Sequence, residues 1–367
     1  MRFLMLNWRD PFNPKSGGAE RVTQAFLAAL RERGHEVFWF ANAYPGCGPC
    51  DRVDGIQVVR GGGIGSSISQ AIRWYRQQPR FDLVIDQHHG IPWFAPWWCR
   101  TQCVAYIHEV LGPIWHSFYK WPTSSIGEFQ EVWTHRLYRK VPFWTPSEST
   151  RKALEAEGVR SVTVLPNGVD TRPIDTLEPK PLTQPLRLIV VCRLAPNKRV
   201  DHALAAVKAL ARRGSDVHLT IVGNGDIEAD LHQQAQTPEL QGRVRFAGRL
   251  PEEAKNAELR HAHLLLHSSV REGWGLNVIE ANAMGTPAVV YPVGGLVDST
   301  VDGETGVVTP TEAPEAMADA VLALAGDPAR YERLRRQAWE RSKQFQWDKV
   351  LPRVSDWLES QAKAGPR

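Results

Sequence analysis

Strand and helix signals alternate along this chain in two successive series, and only a small set of folds accommodates that pattern. In the first series strands read at 2–6, 37–40, 83–85, 104–107, 143–145 and 162–165. A loop at 9–18 and a helix at 19–33 join the first two strands; Val22, Phe26, Ala29 and Leu30 fall at helical spacing and Gly34 supplies the stop. A turn at Asn167-Gly168-Val169-Asp170 follows, and then a stretch carrying Pro173, Pro179, Pro181 and Pro185 reads as a linker. The alternation then restarts, with strands at 186–192, 217–222, 244–246, 263–267 and 288–291 and helices at 200–212, 227–236, 252–261 and 277–284. Strands separated by crossover helices make parallel, doubly wound sheets. The expectation is an α/β chain of two Rossmann-like doubly wound domains facing each other across a cleft. The domains span 1–167 and 186–345, with a hinge at 168–185; a final helical segment at 346–367, bearing Trp347 and Trp357, packs back on the first domain.

The chain has 367 residues, enough for two cores at roughly 150 residues per domain. Residues 1–8 turn polar too soon for a signal peptide, and no apolar run approaches the roughly 20 residues of a spanning helix. The expected setting is therefore the cytoplasm, without integral membrane insertion. A net charge of +4 and a pI near 8.8 suit an anionic substrate or an acidic membrane surface and do not favour nucleic acid. Five cysteines without a secretory segment argue against a disulfide framework. Cys47-Gly48-Pro49-Cys50 has the spacing of a thiol redox site, yet the turn signals of residues 51–55 replace the helix that would activate a thiolate. The alternative is a loop with two thiols. Cys99 and Cys103, spaced C-x-x-x-C beside tryptophans, make a poor zinc pair.

The chemistry-bearing motifs gather at carboxyl ends of expected strands. Glu272 and Glu280 flank a glycine-broken turn, Gly273-Trp274-Gly275, that opens a helix directly after the apolar run Leu264-Leu265-Leu266. A strand entering such a turn offers free amides and a positive dipole end to an anion, while nearby carboxylates accept hydroxyl hydrogen bonds. Phosphate plus polyol is the ligand this implies. Arg193 and Lys198, five residues apart, can converge on a diphosphate. Gly223-Asn224-Gly225 and Gly248-Arg249-Leu250 end two further strands, and Gly17-Gly18-Ala19-Glu20 opens the first helix of the other domain. Any one lysine or arginine is more often a solvated surface charge; their shared location changes that weighting.

These residues resemble the retaining glycosyltransferases of family 4, with the two-domain GT-B fold. The resemblance runs through Gly17-Gly18-Ala19-Glu20, Pro166-Asn167-Gly168-Val169-Asp170, Arg193 with Lys198, the Glu272/Glu280 pair, Gly285-Thr286-Pro287, Gly294-Gly295 and Asp302-Gly303-Glu304-Thr305-Gly306. It implies a nucleotide diphosphate sugar, GDP- or UDP-linked, as hexosyl donor. Arg193 and Lys198 would hold the diphosphate and stabilise the leaving charge, Glu280 would bind the ribose, and Glu272 would contact the donor sugar. Amides of Trp274, Gly275, Leu276, Asn277 and Val278 would reach sugar and phosphate, with Gly17 and Gly18 approaching from the first domain and the base near Gly223, Gly248 and Leu250. His108, in Ile107-His108-Glu109, matches the family's first-domain histidine facing the sugar; on its own it reads as a core histidine. The implied transfer retains configuration and uses neither a cofactor nor a metal, no Asp-X-Asp motif being present.

Acceptor recognition is written less plainly. Ten of the 14 tryptophans lie in the first 150 residues, which reads as an aromatic acceptor groove, as a face touching a membrane and a lipid-linked glycan, or as ordinary packing. Asp10, Glu109, Trp115 and Tyr119 are the acceptor candidates, and Arg73, Arg76, Arg80 and Lys120 would add attraction to acidic lipids in a peripheral contact. The competing classes are a nucleotide-sugar-binding GT-B protein of another activity, such as a phosphorylase or epimerase, and a thiol redox protein using Cys47 and Cys50.

Overall fold

The computed structural model describes residues 1–63, 65–88, 90–112 and 114–365. The chain divides into two compact units: the first is Met1–Gly112, Ile126–Gly168 and Trp347–Arg367, the second Pro113–Ser125 and Val169–Gln346.

The first unit contains β1 (Arg2–Leu6), β2 (Glu36–Ala41), β3 (Cys50–Val53), β4 (Ile56–Arg60), β5 (Leu83–His88), β6 (Gln102–Ile107), β7 (Phe143–Thr145) and β8 (Val162–Val164). They form one eight-stranded sheet in the order β3-β4-β2-β1-β5-β6-β7-β8. Phe3, Leu4, Met5 and Leu6 are all fully buried, as a parallel strand with both faces covered requires. Every pairing is parallel except β3 with β4. That edge hairpin went unread, because Cys50, Asp51 and Arg52 are exposed and show no apolar alternation. Asp54, at φ +49, and Gly55, at φ +75, make its turn.

The second unit contains β9 (Leu186–Val191), β10 (Val217–Val222), β11 (Val244–Gly248), β12 (Leu264–His267), β13 (Ala288–Val290) and β14 (Gly306–Val308). Its six-stranded sheet runs β11-β10-β9-β12-β13-β14, all parallel. Two doubly wound units of this kind are the GT-B architecture, and the strand order of each reverses once, at β1/β5 and at β9/β12.

Two segments depart from the expected division. Residues 113–125 group with the second unit, not the first. The proline-rich stretch after Gly168 lacks regular elements but is no free linker. Ile174 N donates to Ala283 O at 3.0 Å, the Trp339 indole donates to Ile174 O at 2.9 Å, and Lys180 Nζ donates to Ala262 O and Thr286 Oγ1, each at 2.8 Å. Prolines stiffen the strap, and carbonyls at the ends of helices of the second unit hold it.

The last helix, Trp347–Ala364, buries Val350, Val354 and Leu358 and lies in the first unit. Trp347 meets Phe26 edge-on at 5.9 Å, Trp357 lies 6.0 Å from Trp144, and Arg33 pairs with Asp356 at 2.6 Å. The chain enters this packing at Gly168, where an added Cβ would stand 2.2 Å from the Trp347 ring. Gly168→Ala should therefore cost about 1–3 kcal/mol in urea unfolding, the usual penalty for overpacking. Gly63→Ala, with nothing within 4 Å, serves as the neutral control.

Candidate functional site

The crevice where a doubly wound sheet reverses order is its natural ligand site, and in the second unit the β9 and β12 carboxyl ends flank it. After β9 the chain turns through Leu194 and a 3-10 turn, Pro196–Lys198, that presents Lys198. Past β12, Ser268 Oγ donates to Arg199 O at 2.7 Å, Val270 N donates to Asn197 O at 2.9 Å, and Glu272 N donates to Gly294 O at 3.0 Å. The first two bonds lace the loops after β9 and β12 together, and the third ties the β12 loop to the one after β13.

Lys198 Nζ pairs with Glu272 Oε1, which also accepts from Ser269 Oγ at 2.6 Å, with His267 Nε2 at 3.6 Å. Burial pushes the Glu272 carboxyl up, but Lys198, His267 and the Ser269 hydroxyl outweigh it and hold the carboxyl below its usual range. His267 is itself held down to about 4, first by burial, so it stands neutral behind the carboxylate at pH 7. The Cys192 thiol is pushed up to about 12 by burial, which removes it as a nucleophile. Asn277 Nδ2 donates to Val191 O at 2.7 Å, fastening the start of the helix Leu276–Ala283 to the end of β9.

Gly275, at φ +83, caps that helix in the left-handed region, which a side chain would strain; the Leu276 and Asn277 amides lack intrahelical partners by geometry, whereas Val278 N already donates to Gly275 O at 3.0 Å. Trp274 is buried against Phe345 at 5.2 Å, so its backbone rather than its ring is the polar part available. Leu276 packs beside this pair and Val278 lies in the core. Gly223 can be nothing else: a Cβ there would stand 1.8 Å from Cys192 O. Its amide donates to Gly248 O at 2.8 Å, joining the ends of β10 and β11, and Leu250 follows half-buried. Glu280 pairs with Lys255 at 2.9 Å, and Lys255 also meets Glu252 at 2.6 Å. Arg193 is exposed, and its guanidinium has no hydrogen bond or ion pair with a described residue. Trp115 and Tyr119, ring centroids 5.8 Å apart, belong to residues 113–125 of this same unit. The short helix Ile114–Phe118 lies against the Pro196–Lys198 turn.

His267, Ser269 and Lys255 were missed by sequence reasoning. His267 carried a usable signal, since it ends the strand five residues before Glu272; Lys255 carried none, because it reaches Glu280 from a neighbouring helix.

In the first unit His108 follows β6, its Nδ1 3.4 Å from the Tyr106 hydroxyl, and Glu109 follows it half-buried. Gly17 opens the helix Gly18–Glu32, but its amide already donates to Glu20 Oε2 at 2.7 Å, so anion contacts at this end fall to the following amides, beginning with Gly18. Asp10 is not an acceptor ligand. It is fully buried, accepting from Arg60 Nε at 2.7 Å and Nη2 at 3.1 Å and from Phe12 N at 2.8 Å. Cys50 begins β3 and Cys47 Sγ accepts from Tyr44 N at 3.2 Å; no helix follows to activate either thiol, and both are free.

One helix of this unit, within Thr123–Leu137, is turned inside out. Glu131, Thr134 and His135 are buried, while Ile126, Phe129, Trp133 and Leu137 stand 63%, 74%, 53% and 39% exposed. The polar side is used: Glu131 accepts from Leu111 N at 2.7 Å and from Gly112 N at 2.9 Å, and His135 pairs with Glu157.

Comparison with known proteins matches residues 175–341 to the family described as "Glycosyl transferases group 1" and residues 16–172 to "Glycosyltransferase Family 4". The chain is 34% identical to the glycogen synthase of Mycobacterium tuberculosis (strain ATCC 25618 / H37Rv) over 194 residues, 53% of this chain and 47% of that enzyme. It thus spans about half the length of that relative. It is 25% identical to the phosphatidyl-myo-inositol mannosyltransferase of Mycobacterium leprae (strain TN) over 96% of this chain and 95% of the relative. In fold it resembles the sucrose-phosphate synthase of Thermosynechococcus elongatus, with a TM-score of 0.80, 17% identity and 99% of each chain covered. Anabaena HepE, solved with UDP and glucose, follows at a TM-score of 0.73 and 19% identity, over 98% of this chain and all of the other.

Removing Asp10 leaves Arg60 buried with only the half-exposed Asp51 to pair with. Asp10→Asn should lower the unfolding free energy by about 3 kcal/mol, with an Asp10→Asn/Arg60→Met double variant recovering part of it. Urea titration followed by circular dichroism measures both.

Proposed function

The chain belongs to glycosyltransferase family 4, and on that premise we propose that it is a retaining glycosyltransferase. It moves a hexosyl unit from a UDP- or GDP-linked sugar to a hydroxyl of a glycan, glycolipid or other glycoconjugate. The observation that carries this reading is the Lys198–Glu272 pair at the carboxyl ends of β9 and β12, beside the Gly275-capped helix and the unpaired Arg193.

In the proposed reaction Lys198 and Arg193 take the donor diphosphate, and Glu272, kept ionised by the neighbouring Lys198 ammonium and Ser269 hydroxyl, accepts from hydroxyls of the sugar. The anomeric carbon–oxygen bond to phosphate breaks, the acceptor oxygen bonds to the same face, and the acceptor proton passes to the departing phosphate oxygen. Two fixed cations at the leaving diphosphate supply the electrostatic stabilisation, so no metal or cofactor is invoked. Glu280, oriented by Lys255, accepts from the ribose diol, and the base lies near Gly223, Gly248 and Leu250. His108 is assigned to the donor sugar and the amides following Gly17 to phosphate, and Glu109, Trp115 and Tyr119 serve the acceptor.

The inverted helix supports an acceptor presented at a lipid surface. Four apolar side chains recur along its exposed side, with Arg136, Arg139 and Lys140 exposed at its end. Apolar residues with flanking cations suit the headgroup region of an anionic bilayer. No helix among the described residues is long and apolar enough to cross a membrane, so the contact proposed is peripheral.

Thermal shift against UDP, GDP, ADP and TDP in EDTA is the first test: one diphosphate should stabilise the protein selectively. The absence of any shift at millimolar concentration would remove the transferase reading. With the cognate donor, Arg193→Ala and Lys198→Ala should each lower kcat/KM by about 10²–10³-fold, and NMR of the product should show retained anomeric configuration.

The lipid contact has its own test. Flotation with phosphatidylglycerol-containing vesicles should capture the wild type and fail for Phe129→Glu/Trp133→Glu, while both proteins keep the same diphosphate-induced thermal shift. Equal flotation would sink the membrane contact alone.

A further inference from the structure

At the end of the second sheet away from the nucleotide-sugar motifs lies a cavity of about 230 Å³, bordered by Glu178, Lys180, Arg187, Arg260, His261 and Arg335. Arg187 stands near the start of β9, whereas Arg193 and Lys198 follow its end; at about 3.3 Å per residue, six residues put the two regions roughly 20 Å apart. Ligands of such sheets gather at the carboxyl ends of strands, so this opposite end has no role in the transfer chemistry.

Part of this charge has a structural use. Lys180 Nζ donates to Ala262 O at 2.8 Å, Gly285 O at 3.2 Å and Thr286 Oγ1 at 2.8 Å, and Arg335 Nε donates to Gly285 O at 3.0 Å. These acceptors lie at or just beyond the ends of the helices Glu252–His261 and Leu276–Ala283, where cations are favoured. The remainder does not. Arg187 spends only Nε, on His261 O at 2.9 Å, while the other guanidinium nitrogens of Arg187, the whole Arg260 guanidinium and the His261 ring have no partner among the described residues. Among the described residues three acids face this group: Glu332, already paired with Arg335 at 2.6 Å; Glu258, which acts on His261 and is already paired with Arg245 at 2.5 Å; and Glu178, whose exposed carboxylate is the acid on the cavity wall. Like charges gathered around a concavity with donors to spare form an anion site.

We propose that this cavity binds a small tetrahedral dianion, a phosphate monoester or inorganic phosphate, through Arg187, Arg260 and His261, against the strap that carries Lys180. The volume takes roughly seven waters, enough for a phosphate with part of an attached group. Lys180 couples the site to protons. Burial, followed by the fields of Arg335, Arg187 and Arg260, holds its amine down to about 6, and Glu332 offsets this only in part. Three acceptors nevertheless converge on Nζ, and a neutral amine has two hydrogens. A dianion in the cavity restores the charged form that the hydrogen bonds are arranged for, so binding near pH 7.5 takes up a proton, and affinity falls as pH rises through the bound-state value. His261 and His263, the other titratable neighbours, are both held below 6.5, first by burial.

Sulfate is the probe, because its charge is constant across this range. Isothermal titration of the full chain with sulfate, in two buffers of different ionisation enthalpy at pH 7.5, should show binding with proton uptake. Lys198→Ala should bind equally well, Arg260→Glu at least tenfold more weakly, and Arg260→Lys close to wild type. Arg260 is exposed and unpartnered, so its variants should keep the wild-type melting temperature in sulfate-free buffer. Absence of heat at tens of millimolar sulfate, or binding lost in Lys198→Ala and kept in Arg260→Glu, would overturn the proposal. His261→Gln should retain the proton uptake; its disappearance there would take the proton away from Lys180.

Discussion

A parallel strand must be covered on both faces, and the rest of each unit follows from that requirement. The runs at β1, β9 and β12 are apolar almost without interruption and every residue of β5 is buried, so helices have to cross back over the sheet between successive strands. Crossovers place all carboxyl ends along one edge, and the reversal of strand order at β9/β12 opens a crevice there. Polar groups can gather only where the apolar layers stop. Lys198, Glu272, Gly223 and Gly248 are all found at that edge, and the same logic puts His108 at the end of β6.

Within the crevice the energetics turn on one carboxylate. Glu272 is mostly buried, which alone pushes its carboxyl up, and the adjoining Lys198 ammonium and Ser269 hydroxyl help hold it below its usual range. Its backbone is equally confined: a Cβ on Gly295 would stand 2.0 Å from Glu272 O. A loop held from both sides costs little further ordering when a ligand arrives, which is the physical content of preorganisation.

The strand series apart from β3, β4 and the short β14, both doubly wound sheets and the glycine-broken turn were legible because each rests on local periodicity or on a residue type with one use. Glycine at 223 and 275 is demanded by sterics and backbone dihedral, and such demands leave a mark in the residue itself. The β3–β4 hairpin was not legible, since an exposed edge strand need not alternate. Asp10 was misread for a different reason. Its partner Arg60 lies fifty positions away, and nothing local distinguishes an acid that waits for a substrate from one already bound to arginine.

By itself the sequence determined the class of fold, the family and the set of residues from which a phosphate and polyol site could be made, because hydrophobic periodicity and glycine placement act over a few neighbouring positions. The tertiary structure alone decided which of those residues are already paired. It gave Asp10 to Arg60, Glu280 to Lys255 and the Gly17 amide to Glu20, tied the proline-rich strap to helix ends, and turned the 123–137 helix polar side inward. Pairing and burial depend on groups brought together from distant parts of the chain, and charge is worth most where that packing has excluded water.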